Sequence, residues 1–167
     1  PGNQQELLEA IYEVNTNIVL VLNNGRPLSI PWAATHIPCI VEAWHLGTQT
    51  GNAVAQVLYG DYNPSGKLPM SFPRNVGQCP IYYNNYNTGR PANVDGNVFW
   101  SHYSDVEKTP QFPFGFGLSY TTFEYKNLKI SKPNFKIGEP VLITAEVTNS
   151  GNYDGKEVVQ LYIHDES

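Results

Sequence analysis

Basic residues are scarce in this sequence. Lysine and arginine together number 10 among 167 residues, against 15 aspartates and glutamates, and the formal net charge is −5. Proteins that bind nucleic acids or anionic membrane surfaces neutralise phosphates with clustered lysine and arginine. We therefore expect neither a nucleic acid nor a membrane as a partner.

Long apolar runs and cysteines are also few. No apolar run approaches the roughly 20 residues that a membrane-spanning helix requires, so we expect no membrane span. The only cysteines, Cys39 and Cys79, would pair in an oxidising compartment, but Cys39 stands in an apolar, strand-like run where a free, buried thiol is more usual. The histidines lack the spacing of metal ligands, and we expect no metal at them: they are His36, His45, His102 and His164.

What the chain does contain is apolar residues in regular patterns, and at 41% they are enough for a core. Asn3 and Glu6 have the spacing of a capping box, and the residues behind them place an apolar face at helical spacing, which predicts a helix over 4–14. The apolar runs 17–22 and 37–44 have the length and β-branched content of parallel strands covered on both faces.

A further helix is predicted over 48–59, with Gly60 as its stop signal. We expect this helix to bury Ala53, Val54, Val57 and Leu58 against the sheet. Helices alternating with strands in this way indicate an α/β fold with a mostly parallel sheet.

Ligands of such folds gather where loops leave the carboxyl ends of the strands. Segments 23–27 and 44–50 follow the two predicted strands and should meet at that edge. The second segment leads into a glycine-rich stretch, 47–51, which lacks the lysine and the spacing of a phosphate-binding loop. Close packing explains such glycines more often than phosphate binding does.

The second half has a different pattern. Between residues 78 and 114, tyrosine, phenylalanine and tryptophan are scattered among asparagine, glycine and proline, which predicts a long, structured, aromatic loop region. Beyond it, alternating apolar residues predict antiparallel strands near 123–130, 141–147 and 159–163, the first with a bulge near Asn127. We expect the change from parallel to antiparallel structure near residues 119–122.

Several multi-residue motifs occur in order along the chain. They are Asn24-Gly25-Arg26-Pro27, Gly51-Asn52-Ala53, Gly60-Asp61-Tyr62-Asn63-Pro64-Ser65-Gly66-Lys67-Leu68-Pro69, Ser71-Phe72-Pro73, Asn87-Thr88-Gly89-Arg90-Pro91 and Phe114-Gly115-Phe116-Gly117-Leu118-Ser119-Tyr120. In these motifs the sequence resembles the carboxy-terminal half of glycoside hydrolase family three enzymes, of the periplasmic β-glucosidase type. It departs from the family pattern at 44–49 and at His102.

The resemblance implies a fold and a division into domains. Residues 1–119 would be the carboxy-terminal part of an α/β sandwich domain with a mostly parallel sheet. Residues 120–167 would be the first strands of a fibronectin type III-like β-sandwich. It also implies a periplasmic or secreted location, no cofactor, and two partners: a β-linked gluco-oligosaccharide or glucoside, and a barrel domain elsewhere in the same protein.

The chemistry that the resemblance implies is retaining hydrolysis of β-glucosides, or of related β-xylosides, by two carboxyl groups. In the family the nucleophilic aspartate belongs to the barrel, and the acid/base glutamate lies shortly before the position matching Pro1. We therefore assign no catalytic residue within this chain. A non-catalytic carbohydrate-binding or interaction module is the alternative, favoured by the tyrosine-rich loops and the sandwich strands.

The carboxylates of the chain have structural explanations, as a helix cap, solvated helix positions, a turn and a polar loop: they include Glu6, Glu9, Glu13, Asp61, Asp105 and Glu107. For substrate binding the candidates are Tyr86, Arg90, Trp100 and His102, which would border an outer sugar subsite by stacking and hydrogen bonding. Packing of one domain against another is the more common role of such side chains.

Overall fold

The computed structural model describes residues 2–86, 89–90, 99 and 101–164. The helices are α1 (Gln4–Val14), α2 (Pro31–His36) and α3 (Thr50–Leu58), and the strands are β1 (Val19–Leu22), β2 (Cys39–Glu42), β3 (Phe123–Ile130) and β4 (Ile143–Asn149). The chain forms two compact units. Unit 1 comprises Pro1–Val54 and Leu68–Phe116, and unit 2 comprises Ala55–Lys67 and Gly117–Ser167.

The sheet of unit 1 is parallel, as predicted. β1 pairs with β2 in a register that sets Val19 opposite Cys39 and Leu22 opposite Glu42, and both strands are shorter than their apolar runs. α1 has the predicted bounds, but the capping box is wrong, because the Asn3 side chain makes no cap hydrogen bond.

The short helix α2 was not predicted. Pro31 occupies its first turn, where a missing N–H costs nothing, and six residues are too few to show a helical period. Trp32 and His36 stack within it, with ring centroids 4.4 Å apart, and Tyr12 meets both rings edge-on. α2 contributes Ala33 to the buried apolar core, which among the described residues also contains Ile37, Ala43 and Phe72.

α3 agrees with its prediction in position and differs in burial. A short 3-10 turn at Gly47–Gln49 precedes it, and Gly60, with φ +82°, lies just beyond its end. Leu58 is 43% exposed, and Ala53, Val54 and Val57 are only half-buried, so the expectation that these four residues are buried is wrong. Leu58 lies about 100° around the helix from its neighbour Val57, which is half-buried.

Unit 2 contains an antiparallel pair, β3 and β4. The register shifts between Lys126 and Lys129, and Asn127 adopts φ +54°, so the predicted bulge is confirmed. The third strand predicted at 159–163 is wrong, because these residues form no strand. Alternation of apolar and polar residues shows which side chains would share a face of a strand. A strand also requires a neighbour whose backbone it can hydrogen-bond, and alternation does not provide one.

The turn after α3 is fixed in unit 2 by one asparagine. The Asn63 Oδ1 atom accepts hydrogen bonds from Ser119 Oγ and Tyr120 N, both at 2.8 Å, and Asn63 Nδ2 donates to the carbonyl of Asp154 at 2.9 Å. A single amide thereby joins three separate parts of unit 2.

A half-buried lysine follows in the same segment. Lys67 Nζ donates to the carbonyl of Gly117 at 2.7 Å and lies 3.2 Å from Glu157 Oε1. Partial burial, and then the charge of Glu157 and a hydrogen bond with it, raise the pKa of Tyr125 above its ordinary value.

The expectation for the two cysteines is met in part. Cys39 and Cys79 are free thiols, but both are exposed, so the expected burial of Cys39 is wrong. In the part of the chain that the structure describes, no helix is long and apolar enough to cross a membrane.

Candidate functional site

The predicted aromatic loop region begins and ends on two chain segments that run side by side. Phe72 N donates to the carbonyl of Phe112, and Gln111 N donates to the carbonyl of Phe72, both at 2.8 Å. Leu68 and the stretch 115–116 repeat this exchange, with Leu68 N donating to Phe116 and Gly115 N to Leu68. The residues between these segments, 79–106, therefore leave and return at one place, and we call them the aromatic segment.

Aromatic rings pack around the paired segments. Phe72 is 2% exposed and lies 6.1 Å from the ring of Trp44 and 6.1 Å, edge-on, from that of Phe112. Tyr83 of the aromatic segment stacks on Phe114 with ring centroids 4.3 Å apart. The base of the aromatic segment is thus attached to the buried part of unit 1.

A buried glutamine lies where the aromatic segment starts. Gln78 is 1% exposed, and its Oε1 accepts a hydrogen bond from Arg74 N at 2.6 Å. Its Nε2 donates to the carbonyl of Glu107 at 2.7 Å and to that of Thr109 at 3.4 Å. Gln78 was not among the predicted site residues, and a glutamine between Gly77 and Cys79 belongs to no sequence motif that would indicate its role.

An ion pair between a half-buried arginine and an exposed glutamate lies beside the glutamine. Arg74 Nη2 is 3.0 Å from Glu107 Oε2, and Arg74 Nε donates to the carbonyl of Thr109 at 3.0 Å. The Glu107 carboxylate therefore helps to join the two ends of the aromatic segment, a structural role of the kind expected for it.

The candidate substrate-binding residues lie within the aromatic segment. Ser101 N donates to the carbonyl of Arg90 at 3.0 Å, which brings Arg90 next to the residue that precedes His102. Arg90 and His102 are exposed, and Tyr86 is 95% exposed, so its ring does not pack onto the other two. Trp100 lies outside the described residues.

The carboxyl edge of the parallel pair has a polar cluster of its own. Glu42 Oε1 accepts a hydrogen bond from Trp44 N at 2.9 Å, and Glu42 Oε2 accepts one from Asn24 Nδ2 at 3.1 Å. Trp44 has φ +50°, a conformation that is rare for a residue other than glycine. The Glu42 carboxylate thus joins the loops after β1 and β2 at the edge where the sequence predicts that they meet.

The described residues contain no group of three or more histidine, cysteine, aspartate or glutamate side chains that could hold a metal ion.

Of the other carboxylates weighed above, Glu9 accepts a hydrogen bond from Gln5 Nε2 one helical turn away, at 2.8 Å. That contact belongs to the surface of α1.

Comparisons with known proteins identify relatives for the whole chain. The family model of the glycosyl hydrolase family 3 C-terminal domain matches residues 1–120. A periplasmic beta-glucosidase of Salmonella typhimurium is 47% identical over 166 residues, which are 99% of this chain and 22% of the relative. A beta-xylosidase of Formosa agariphila is 47% identical over 165 residues, again 99% of this chain and 22% of the relative.

A solved structure agrees with these relatives. The beta-glucosidase from Listeria innocua in complex with glucose superposes with a TM-score of 0.74 at 41% identity, and covers 78% of this chain and 18% of that one. The chain spans about a fifth of the length of the relatives that it matches. Because the family model of the C-terminal domain matches residues 1–120, well over half of its length, the chain belongs to glycosyl hydrolase family 3.

Proposed function

We propose that the protein containing this chain is a retaining β-glucosidase, which hydrolyses terminal, non-reducing β-D-glucosyl residues, and that this chain supplies scaffold and a wall of the active site. The observation that carries the proposal is the 47% identity, over 99% of the chain, to a periplasmic beta-glucosidase. That relative also supports a periplasmic or secreted location, and a β-linked gluco-oligosaccharide or glucoside as the partner.

The aromatic segment is the proposed site of sugar contact. Tyr86, Arg90 and His102 are exposed, and two of the three lie close to one another through the Arg90–Ser101 hydrogen bond. A ring stacks on the apolar face of a sugar, and a guanidinium and an imidazole hydrogen-bond its hydroxyls. Trp100 belongs to the same proposal from its place in the sequence.

The catalytic pair is proposed to lie outside residues 1–167. Retaining hydrolysis requires two carboxyl groups roughly 5 to 5.5 Å apart, one as nucleophile and one as acid and base. A barrel domain of the same protein would supply the nucleophile. Residues 1–119 would then be part of an α/β sandwich domain, and residues 120–167 the start of a fibronectin type III-like domain, to which β3 and β4 would contribute.

A β-xylosidase of the same family is the second candidate, because a beta-xylosidase is 47% identical over nearly the whole chain. A xyloside lacks the hydroxymethyl group of a glucoside, so the two activities differ in whether the sugar site accommodates that group. The same assay separates them.

The test compares the full-length protein with residues 1–167 alone on an aryl β-glucoside and an aryl β-xyloside. We expect the full-length protein to prefer the glucoside and the isolated chain to be inactive. Turnover by the isolated chain that survives repurification, and that disappears on Asp105→Asn or Glu107→Gln, would place the chemistry inside this chain and overturn the proposal. A full-length protein that prefers the xyloside would establish the second candidate.

A further inference from the structure

The amide of Gln78 connects the two ends of the aromatic segment through backbone atoms alone. The Gln78 Oε1 atom accepts a hydrogen bond from Arg74 N, which lies before the segment. The Nε2 atom donates to the carbonyls of Glu107 and Thr109, which lie after it. The opposite orientation of the amide would set an oxygen against two carbonyl oxygens, so its hydrogen-bond partners fix which atom is which. A fully satisfied, buried amide of this kind specifies one arrangement of the chain around it.

We infer that Gln78 is a positioning residue for substrate binding: by holding both ends of the aromatic segment, it orients the side chains that contact the sugar. The inference rests on the proposed function, because the segment between the two ends carries Tyr86, Arg90 and His102. Gln78 itself is buried, so it acts through the segment and not by touching substrate.

Other contacts also join the two ends of the aromatic segment, so the role of Gln78 in substrate binding can be tested separately from folding. The backbone exchange between Phe72 and Phe112 does not involve Gln78 and would hold the two segments together without it. The Arg74–Glu107 pair is exposed on the carboxylate side, where water and salt weaken it. Loss of the Gln78 amide should therefore loosen the ends of the aromatic segment without unfolding unit 1.

The first test is Gln78→Met in the full-length enzyme, with kinetics on an aryl β-glucoside. Methionine preserves length and removes every hydrogen bond of the amide. We expect KM to rise about tenfold and kcat to change by less than about threefold, because misplaced binding groups weaken substrate binding while the catalytic carboxyls lie elsewhere.

A second variant, Gln78→Glu, adds a pH signature. An ionised carboxylate would face the carbonyls of Glu107 and Thr109 and repel them, whereas a protonated one would again donate a hydrogen bond. Burial and the Glu107 carboxylate favour the protonated form, whereas the Arg74 N–H that donates to this side chain at 2.6 Å and the Arg74 guanidinium favour the ionised form. We expect the KM of this variant to fall towards the wild-type value as the pH is lowered, beyond any change in the wild-type enzyme over the same range.

The matched control is Thr121→Val. Thr121 is also buried and hydrogen-bonded, with its Oγ1 donating to Asn149 Oδ1 at 2.7 Å, but it lies outside the aromatic segment. This variant should lose stability and retain the wild-type KM. Hydrogen exchange should quicken at residues 81–86 and 101–106 in Gln78→Met and not in Thr121→Val.

The outcomes distinguish a failure of the proposed function from a failure of the positioning role of Gln78. A wild-type enzyme that turns over neither glucoside nor xyloside refutes the proposed function and, with it, the positioning role. An active wild type together with an unchanged KM in Gln78→Met, or an equal rise of KM in Thr121→Val, refutes the positioning role alone. If Gln78→Met does not fold, Gln78→Glu decides, and a KM that does not respond to pH beyond the wild-type change contradicts the inference.

Discussion

At the scale of single residues, the ion pair of Lys67 and Glu157 is more buried than the other pairs of the described chain. Their side chains are 16% and 13% exposed, and the Lys67 ammonium also donates to the carbonyl of Gly117. Lys67→Met leaves the Glu157 carboxylate without its counter-charge. We expect the free energy of unfolding to fall by about 2 kcal/mol, below the roughly 3 to 5 kcal/mol lost when a fully buried pair is broken. Chemical denaturation measures it.

The chain offers a matched control for this prediction in Lys126, which pairs with Glu124 at the surface. Lys126→Met should cost less than about 1 kcal/mol, because exposed pairs contribute little. Adding Glu157→Gln to Lys67→Met should recover part of the loss, since the unpaired charge is then gone. Equal losses from the two lysine variants would show that the Lys67 pair is no better shielded from water than the Lys126 pair.

Gly117 gives a second residue-scale prediction. A Cβ atom on Gly117 would lie 2.3 Å from the carbonyl oxygen of Gly66, a backbone atom that cannot move aside cheaply, whereas one on Gly66 would meet nothing within 4 Å. Gly117→Ala should therefore lower the free energy of unfolding by about 1 to 3 kcal/mol. Gly66→Ala should be neutral or slightly stabilising, by up to about 1 kcal/mol, because it restricts the unfolded chain. Thermal denaturation of the two variants side by side measures the difference. Equal stabilities would show that residue 117 is not closely packed against Gly66.

At this scale, motifs can be recognised in the sequence more readily than the contacts that their residues make. The Asp61–Lys67 stretch was recognisable as a unit, but the contacts of Asn63 with Ser119, Tyr120 and Asp154 join positions far apart in the sequence. Gln78 was not recognisable at all, because its partners are backbone atoms, which every residue possesses. A hydrogen bond to backbone leaves no pattern in residue types.

At the scale of elements, the bulge in β3 carries a prediction. Asn127 adopts φ +54° at the register shift, and its Nδ2 donates to Glu146 Oε2 across the pair at 2.7 Å. Asn127→Val places a β-branched residue in the left-handed region and should cost about 1 to 3 kcal/mol. Asn127→Gly retains the backbone conformation and loses only the exposed hydrogen bond, so it should cost less than valine does. Urea denaturation that ranks glycine below valine in stability would contradict this explanation of the bulge.

The elements that were predicted correctly are those whose side chains form a recognisable pattern along the sequence. α1 has enough residues to show a helical period, and β1 and β2 stand out as unbroken apolar runs. The bulge was visible because Leu128 follows Asn127 out of phase with the alternation. α2 escaped detection because it is short, and 159–163 was overpredicted because alternation alone does not provide a neighbouring strand.

At the scale of the whole chain, the apolar composition predicts a larger buried core than the structure contains. Apolar residues make up 41% of the sequence, yet the buried apolar residues among those described are Ala33, Ile37, Ala43 and Phe72, all of them in unit 1. Composition counts apolar groups without regard to what is available to cover them. In unit 2 every residue of β4 is exposed, and β3 is exposed beyond Phe123.

That exposure leads to a prediction about residues 1–167 as an isolated chain. A two-stranded antiparallel pair leaves unpaired N–H and C=O groups along its edges, and here apolar side chains remain exposed on both strands, among them Leu128, Ile130 and Val147. Unpaired edges and contiguous apolar surface promote association between chains. We expect the isolated chain to form oligomers whose mass increases with protein concentration, as measured by multi-angle light scattering.

Two lysine variants of the β3–β4 pair identify the surface responsible. Leu128→Lys replaces a side chain that is 73% exposed with a charge, and should shift the isolated chain towards the monomer, because a charge on this surface opposes pairing and removes apolar area. Thr148→Lys adds the same charge on β4 without removing a large apolar group, and should have a smaller effect. If the wild-type chain stays monomeric at the highest concentration reached, or if both variants suppress association equally, apolar surface on this pair is not what drives it.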